Sequence, residues 1–349
     1  MPLAHHHNLR IIRVSNHDYP PSSLFTPSEL GDFASPDLKT QAGVLGKLGI
    51  EIASLLVYLI DTLKLPPISV SWDSTVVGGI SVLGWSLGAY FPVALLGSAS
   101  ALPKGDQELL GKYLRSAILY GMVYLYFSAY SGHDIIKKPD PSIFSVGVPI
   151  PGSVFEPDRP KGLDWSPMDL KLSLQERIES FGPWVSSYYT PIHDISTLDL
   201  EKQGERLRVQ DLDQDTFQSL GLEEWTKITS LEKFDPKELE DISSPESAVR
   251  ALATWCAVDP SVARENLRLA LGLDISSDRA SRTEPLVWPG CKMVAVWCDM
   301  TLPDCSLASA GLVKLLREEG CKVKRKVEVE KFTGVNHFVR LKCFYHFDF

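Results

Sequence analysis

Residues 84–88 read Gly84-Trp85-Ser86-Leu87-Gly88, inside the run Val76-Val-Gly-Gly-Ile-Ser-Val-Leu-Gly-Trp-Ser-Leu-Gly-Ala-Tyr-Phe-Pro-Val-Ala-Leu-Leu96. A strand-like apolar segment at 80–83 leads in, and a helix-like apolar segment at 89–96 leads out. G-x-S-x-G between a strand and a helix is the pattern of a nucleophile elbow. The reason is steric: a serine on so sharp a turn has a strained backbone, and side chains two residues to either side would collide with it. Glycine at 84 and 88 removes both. The turn also sets Ser86 at a helix N-terminus, where the Leu87 N–H can face a developing oxyanion. The same run reaches the ~20 residues of a membrane span. Its glycines, serines and proline, and its strand–turn–helix context, favour the elbow.

The rest of the composition narrows the class. The chain has 349 residues and a formal net charge of −9, with apolar and charged fractions of 44% and 23%. These are the proportions of a soluble globular protein, with length for one large domain or a core carrying an insertion. No basic stripe exists beyond 322–326, which argues against a nucleic-acid partner. No signal peptide is recognisable in the first residues. Six cysteines show neither C-x-x-C spacing nor a disulfide-dense pattern, so a reducing, cytoplasmic setting is expected.

Outward from the elbow, the apolar pattern alternates between strand and helix, which predicts a mostly parallel sheet covered by helices. Leu9-Arg-Ile-Ile-Arg-Val14 reads as a buried strand and 16–23 as a turn. Residues 41–63 carry Val44, Leu45, Leu48, Ile52, Leu55, Leu56, Leu59 and Leu63 near helical spacing, ended by Pro66-Pro67. Residues 110–120 read as a helix running into a strand at 117–120. An apolar stretch at 114–130 has the lower limit of length for a span, but Arg115 near one end counts against membrane insertion.

From 155 to 281 charge rises and helical patterns follow one another, at 168–181, 214–220, 236–239, 245–256 and 260–273. Asp259 is the expected N-cap of the last, before Pro260. This divides the chain into a core, 1–149 with 286–349, and a helical insertion at 150–285 that shapes the pocket as a lid. The sheet resumes at 293–297, then a helix from about 306 to 319 and a strand at 323–329 precede the loop Phe332-Thr-Gly-Val-Asn-His-Phe338.

A serine hydroxyl needs a base, and the base needs an orienting acid. In the strand–turn–helix setting of G-x-S-x-G the order along the chain is Ser, acid, His. Of eight histidines, His337 has the position and order for the base, on a loop after a late strand. The acid should lie just past the strand ending at Trp297. Asp299 is the first choice and Asp304 the second, and Asp140, after the preceding strand, is the third. If Cys298 fills the turn position, Thr301 falls where the acid is expected.

These residues resemble the α/β-hydrolase family, in particular a fungal intracellular group with Leu-Arg-Ile, Asp-Tyr-Pro, Gly-Trp-Ser-Leu-Gly, Asp-Pro-Pro and Asn-His-Phe segments. Here they are 9–11, 18–20, 84–88, 140–142 in part, and 336–338. The resemblance implies a serine hydrolase acting on a small-molecule ester or related acyl substrate. Ser86 would be nucleophile, His337 base, Asp299 its acid and Leu87 an oxyanion donor, with neither metal nor organic cofactor.

Three departures are expected to matter. The family's strands and His-Gly oxyanion loop before the 9–14 strand have no counterpart, and one such donor is worth about 3–4 kcal/mol. Residues 121–138 interrupt the passage to Asp140, and the tail leaves the family pattern at 339. A chain incomplete at both ends, catalytically impaired and with an exposed sheet edge, is therefore the rival expectation. An acyltransferase on the same triad is another.

Overall fold

The four strands β3 (Ile80–Trp85), β4 (Leu114–Tyr120), β5 (Lys292–Cys298) and β6 (Val327–Phe332) pair in chain order as one parallel sheet, preceded by a two-stranded antiparallel ribbon, β1 (Ser69–Val70) and β2 (Val76–Val77). The computed structural model describes residues 4, 6–19, 21–122, 174–198, 206–233, 247, 251, 254–255, 257–273 and 285–338. Parallel strands cannot be joined by a tight turn, so a helix crosses between neighbours. Helices α3 (Tyr90–Gly97) and α4 (Lys104–Gly111) lie between β3 and β4, and α8 (Pro303–Glu319) between β5 and β6. The remaining described helices are α1 (Pro27–Phe33), α2 (Leu38–Leu63), α5 (Leu174–Ser186), α6 (Gln214–Ser219) and α7 (Pro260–Ala270). The architecture is mixed α/β, a four-stranded parallel sheet flanked by helices.

Register explains which residues are core. Val82, Ala117, Met293 and Val327 stand in one row across the sheet, and Gly84, Leu119, Ala295 and Val329 in the next. Both rows join the main hydrophobic core with Val93 and Leu96 of α3 and Cys305, Ala308 and Leu312 of α8. The opposite row, Leu83, Ile118, Val294 and Glu328, is less covered, with Leu83 59% exposed. Strand β3 is an edge of this sheet among the described residues.

Helix α2 shows how sequence becomes packing. Asp37 caps it, its carboxylate accepting from the Lys39 and Thr40 N–H groups, and Lys64 ends it in a left-handed conformation just before Pro66. Its buried stripe is Val44, Leu45, Leu48, Ala53, Leu56 and Ile60, facing α3, α4 and α7. Each large aliphatic side chain on that stripe contributes about 1.5–3 kcal/mol. Helix α2 is long and apolar enough to cross a membrane. The stripe buried against neighbouring helices is what a core helix requires. Asp259 caps α7 as its sequence suggests, accepting from Ser261 N–H. Although α7 lies within 150–285, it packs on α3 and α2 in the main core.

Two local expectations are corrected. The 9–14 stretch forms no strand, and Leu9, Ile11 and Val14 are 60%, 55% and 56% exposed. Apolar side chains do not make a strand without a partner ladder, and no strand pairs with this stretch among the described residues. The last strand starts at 327 rather than 323. Buried Arg325 diverts the chain. Its guanidinium donates to the carbonyls of Ala270, Trp288, Cys291 and Val287, and the Lys324 and Arg325 N–H groups donate to the Leu271 carbonyl rather than to a neighbouring strand. The 114–130 stretch begins as strand β4, so it is no helical span there. Its part beyond 122 lies outside the described residues, as do the patterns at 236–239, most of 245–256, and the tail from 339.

Candidate active site

The site lies at the C-terminal ends of the parallel strands, the side at which open α/β sheets bind ligands. Strand β3 ends at Trp85, and Ser86 follows with φ +56. A non-glycine residue at positive φ is uncommon and marks strain held by its surroundings. The chain then makes one 3₁₀ turn, Ser86–Ala89, and enters α3. The turn folds back over the strand. A Cβ on Gly84 would run into the Gly88 carbonyl oxygen and come within 2.5 Å of its carbon and 2.8 Å of Ala89 Cα. The glycine at 84 is therefore required. At Gly88 a Cβ meets nothing within 4 Å, so the expected symmetric pair of glycines reduces to one, because the Gly88 Cβ direction points away from the strand. Leu87, second in the turn, has no intrahelical acceptor for its N–H by position.

His337 is 1% exposed and is fixed from several sides. Its carbonyl accepts from Trp85 Nε1–H and from the Tyr120 hydroxyl, both at 3.1 Å. Its ring lies 5.4 Å from the Trp85 ring, centroid to centroid. Elbow strand, neighbouring strand and histidine loop are thus tied together. No hydrogen bond joins Ser86 to His337 among the described residues. Asn336, fully buried, locks the loop from behind. Its amide donates to the Ser186 and Ser187 carbonyls, and its oxygen accepts from Ser230 and from Phe338 N–H.

The acids stand elsewhere. Asp299 Oδ1 accepts from Gly334 N–H at 2.8 Å, and the carboxylate lies 3.8 Å from Lys331 Nζ. It therefore builds the turn that carries His337 rather than bonding the imidazole. Burial pushes its pKa up, against the opposing pull of Gly334 N–H and Lys331. Asp304 is buried in the first turn of α8. Thr301 is also buried, and its carbonyl accepts from Arg206. Asp140 lies outside the described residues. What faces His337 Nδ1 is Cys305, with Sγ at 3.4 Å. No carboxylate bonds it among the described residues, and burial pushes the imidazole pKa down from 6.5 to about 3, so it is neutral at pH 7.

Sequence reasoning did not single out Tyr120, Cys305 or Arg206. Nothing in their spacing marks them, since each acts across elements far apart in the chain. The Arg206 guanidinium is enclosed. It donates to the Thr190, Asp299 and Thr301 carbonyls and to Ser306 Oγ. Burial lowers its pKa to about 10, still charged at neutral pH. This fork ties the 190 segment to the loop between β5 and α8. Arg206→Met is expected to cost about 3 kcal/mol, from several buried acceptors left unpaired. Arg206→Lys should recover less than half of that, because an ammonium cannot reproduce the fork. Urea unfolding midpoints test both, and a lysine variant as stable as wild type would refute the fork argument.

No cluster of three or more metal-binding side chains occurs among the described residues. No protein-family model, curated protein or solved structure matches this chain.

Proposed function

We propose that the chain is a serine hydrolase of α/β-hydrolase type with a helical lid, cleaving a carboxylic ester or related acyl compound. The observation that carries this reading is Ser86 at φ +56, on a strand-to-helix turn closed by Gly84, with a buried histidine bonded to the preceding tryptophan. In the proposed reaction Ser86 Oγ attacks the acyl carbon and His337 Nε2 takes its proton. The Leu87 N–H stabilises the oxyanion, and His337 returns the proton to the leaving group.

Fluorophosphonate labelling of the purified chain tests it, with Ser86→Ala as control. Labelling that disappears in the variant is expected, and a folded wild-type chain that does not label would sink the reading. Because His337 is already neutral above about pH 3, the labelling rate should be level from about pH 5 to 8. A histidine with an ordinary pKa would instead give a rise near pH 6.5.

One observation favours a second reading, an impaired relative of such enzymes. Asp299 is engaged by Gly334, and His337 has no carboxylate bonded to it among the described residues. An imidazole held so far below neutral is a weak base. A folded chain that binds an acyl compound yet neither labels nor turns it over would favour this reading.

A further inference from the structure

We propose that Cys305 is a positioning residue for His337, holding it as the Nδ1–H tautomer with Nε2 bare. Cys305 sits in the first turn of α8, fully buried. Its sulfur is 3.2 Å from the Gly121 carbonyl oxygen, to which it donates, and 3.4 Å from His337 Nδ1. A thiol carries one proton. That proton belongs to the carbonyl, which can only accept. The sulfur lone pairs are then left for Nδ1, so Nδ1 must be the donor. A neutral imidazole has a single N–H, and placing it on Nδ1 leaves Nε2 as the acceptor.

The surroundings support this arrangement from two directions. Gly121 follows β4 with φ +58, its N–H donating to the Val296 carbonyl. A Cβ there would lie 2.7 Å from Nδ1 and 2.8 Å from Cε1 of His337. Only glycine lets the imidazole rest against this turn and reach the sulfur. Burial, with the neighbouring Asp304 acting in the same sense, keeps the thiol protonated by pushing its pKa well up. Cys305 is therefore a neutral hydrogen-bonding partner, neither a nucleophile nor a metal ligand. It occupies the place at Nδ1 that an orienting carboxylate takes in a Ser-His-Asp arrangement, but without a negative charge to stabilise an imidazolium. The catalytic consequence rests on the Ser86–His337 reading, whereas the tautomer does not.

The test is a two-bond 15N–1H correlation on histidine-labelled full-length chain at pH 7, with the His337 signal identified by its loss in His337→Gln. Nδ1–H is the expected form, and a majority of Nε2–H would overturn the proposal. Cys305→Val removes the sulfur acceptor at similar size and should shift the tautomer toward Nε2–H, with labelling slowed about tenfold. Cys305→Ser retains donor and acceptor and should restore the wild-type tautomer. An unchanged Nδ1–H signal in the valine variant would count against the sulfur. Should that variant fail to fold, the wild-type and serine spectra still decide the matter. Nδ1–H in wild type and its serine variant, together with absent Ser86 labelling, upholds the positioning and sinks the hydrolase reading alone.

Discussion

Lowering the pH from 7 to 4 is expected to cost the folded chain about 3 kcal/mol through His337 alone, rising to about 4 kcal/mol at pH 3. The unfolded chain takes up a proton on this imidazole as pH falls through 6.5, and the folded chain refuses it until about pH 3. Within that window the unfolded state binds more protons, so stability is lost as pH falls. The size follows from burial, which strips the charged ring of its hydration while no carboxylate among the described residues bonds it. Against a total stability of about 5–15 kcal/mol, such a loss approaches the whole margin. The acids complicate a single curve. Asp299, its pKa raised, opposes the trend, while hydrogen-bonded surface carboxylates such as Asp37 and Glu328, with lowered pKa values, add to it. The measurement is therefore a difference: urea midpoints from pH 7 to 3 for wild type and for His337→Gln. A flatter profile in the variant is expected, and parallel profiles would show that His337 is not buried as described.

Gly84→Ala is expected to destabilise the chain by at least ~3 kcal/mol and to abolish labelling at Ser86, whereas Gly88→Ala should be within ~0.5 kcal/mol of wild type. The two glycines look equivalent in G-x-S-x-G. In the structure one faces backbone and the other open space. A methyl group on Gly84 can be relieved only by moving the Gly88–Ala89 backbone, because no flexible side chain stands there to yield. Moving that backbone unwinds the turn that holds Ser86 at positive φ. At Gly88 the added methyl meets nothing, and alanine suits a helical turn better than glycine. Thermal unfolding and probe labelling of both variants give the comparison, and equal losses would refute the asymmetry.

The residues at this site divide by how far apart in the chain their causes lie. The elbow was legible because its determinants are local: an apolar strand, a glycine, a serine and an apolar helix in consecutive order. The parallel sheet, the caps at Asp37 and Asp259 and the α2 stripe follow in the same way from spacing and side-chain chemistry within one element. The apolar 9–14 stretch marks the limit of that reasoning. Its pattern is that of a strand, but a strand exists only against a partner, and pairing is a property of the folded chain. Likewise Arg325, within a basic stretch, ends the resemblance of 323–325 to sheet by recruiting carbonyls up to 55 positions away.

His337 stands between these cases. Its place after a late strand suggested a base at the strand ends. Its confinement by Trp85, Tyr120 and Asn336 requires contacts across as many as 252 positions. Asp299 is the clearest separation. Sequence order determined that an aspartate follows β5 at the right end of the sheet. Tertiary structure decided that its carboxylate faces Gly334 and that Cys305 faces the imidazole. Order along a chain specifies which end of a strand a residue occupies, whereas the direction of its side chain depends on the turn it enters and on the neighbours already there. The type of sheet and the position of the serine were therefore determined by the sequence alone, and the partner of the histidine was decided only when α8 packed against β5 and brought Cys305 to the Gly121 carbonyl.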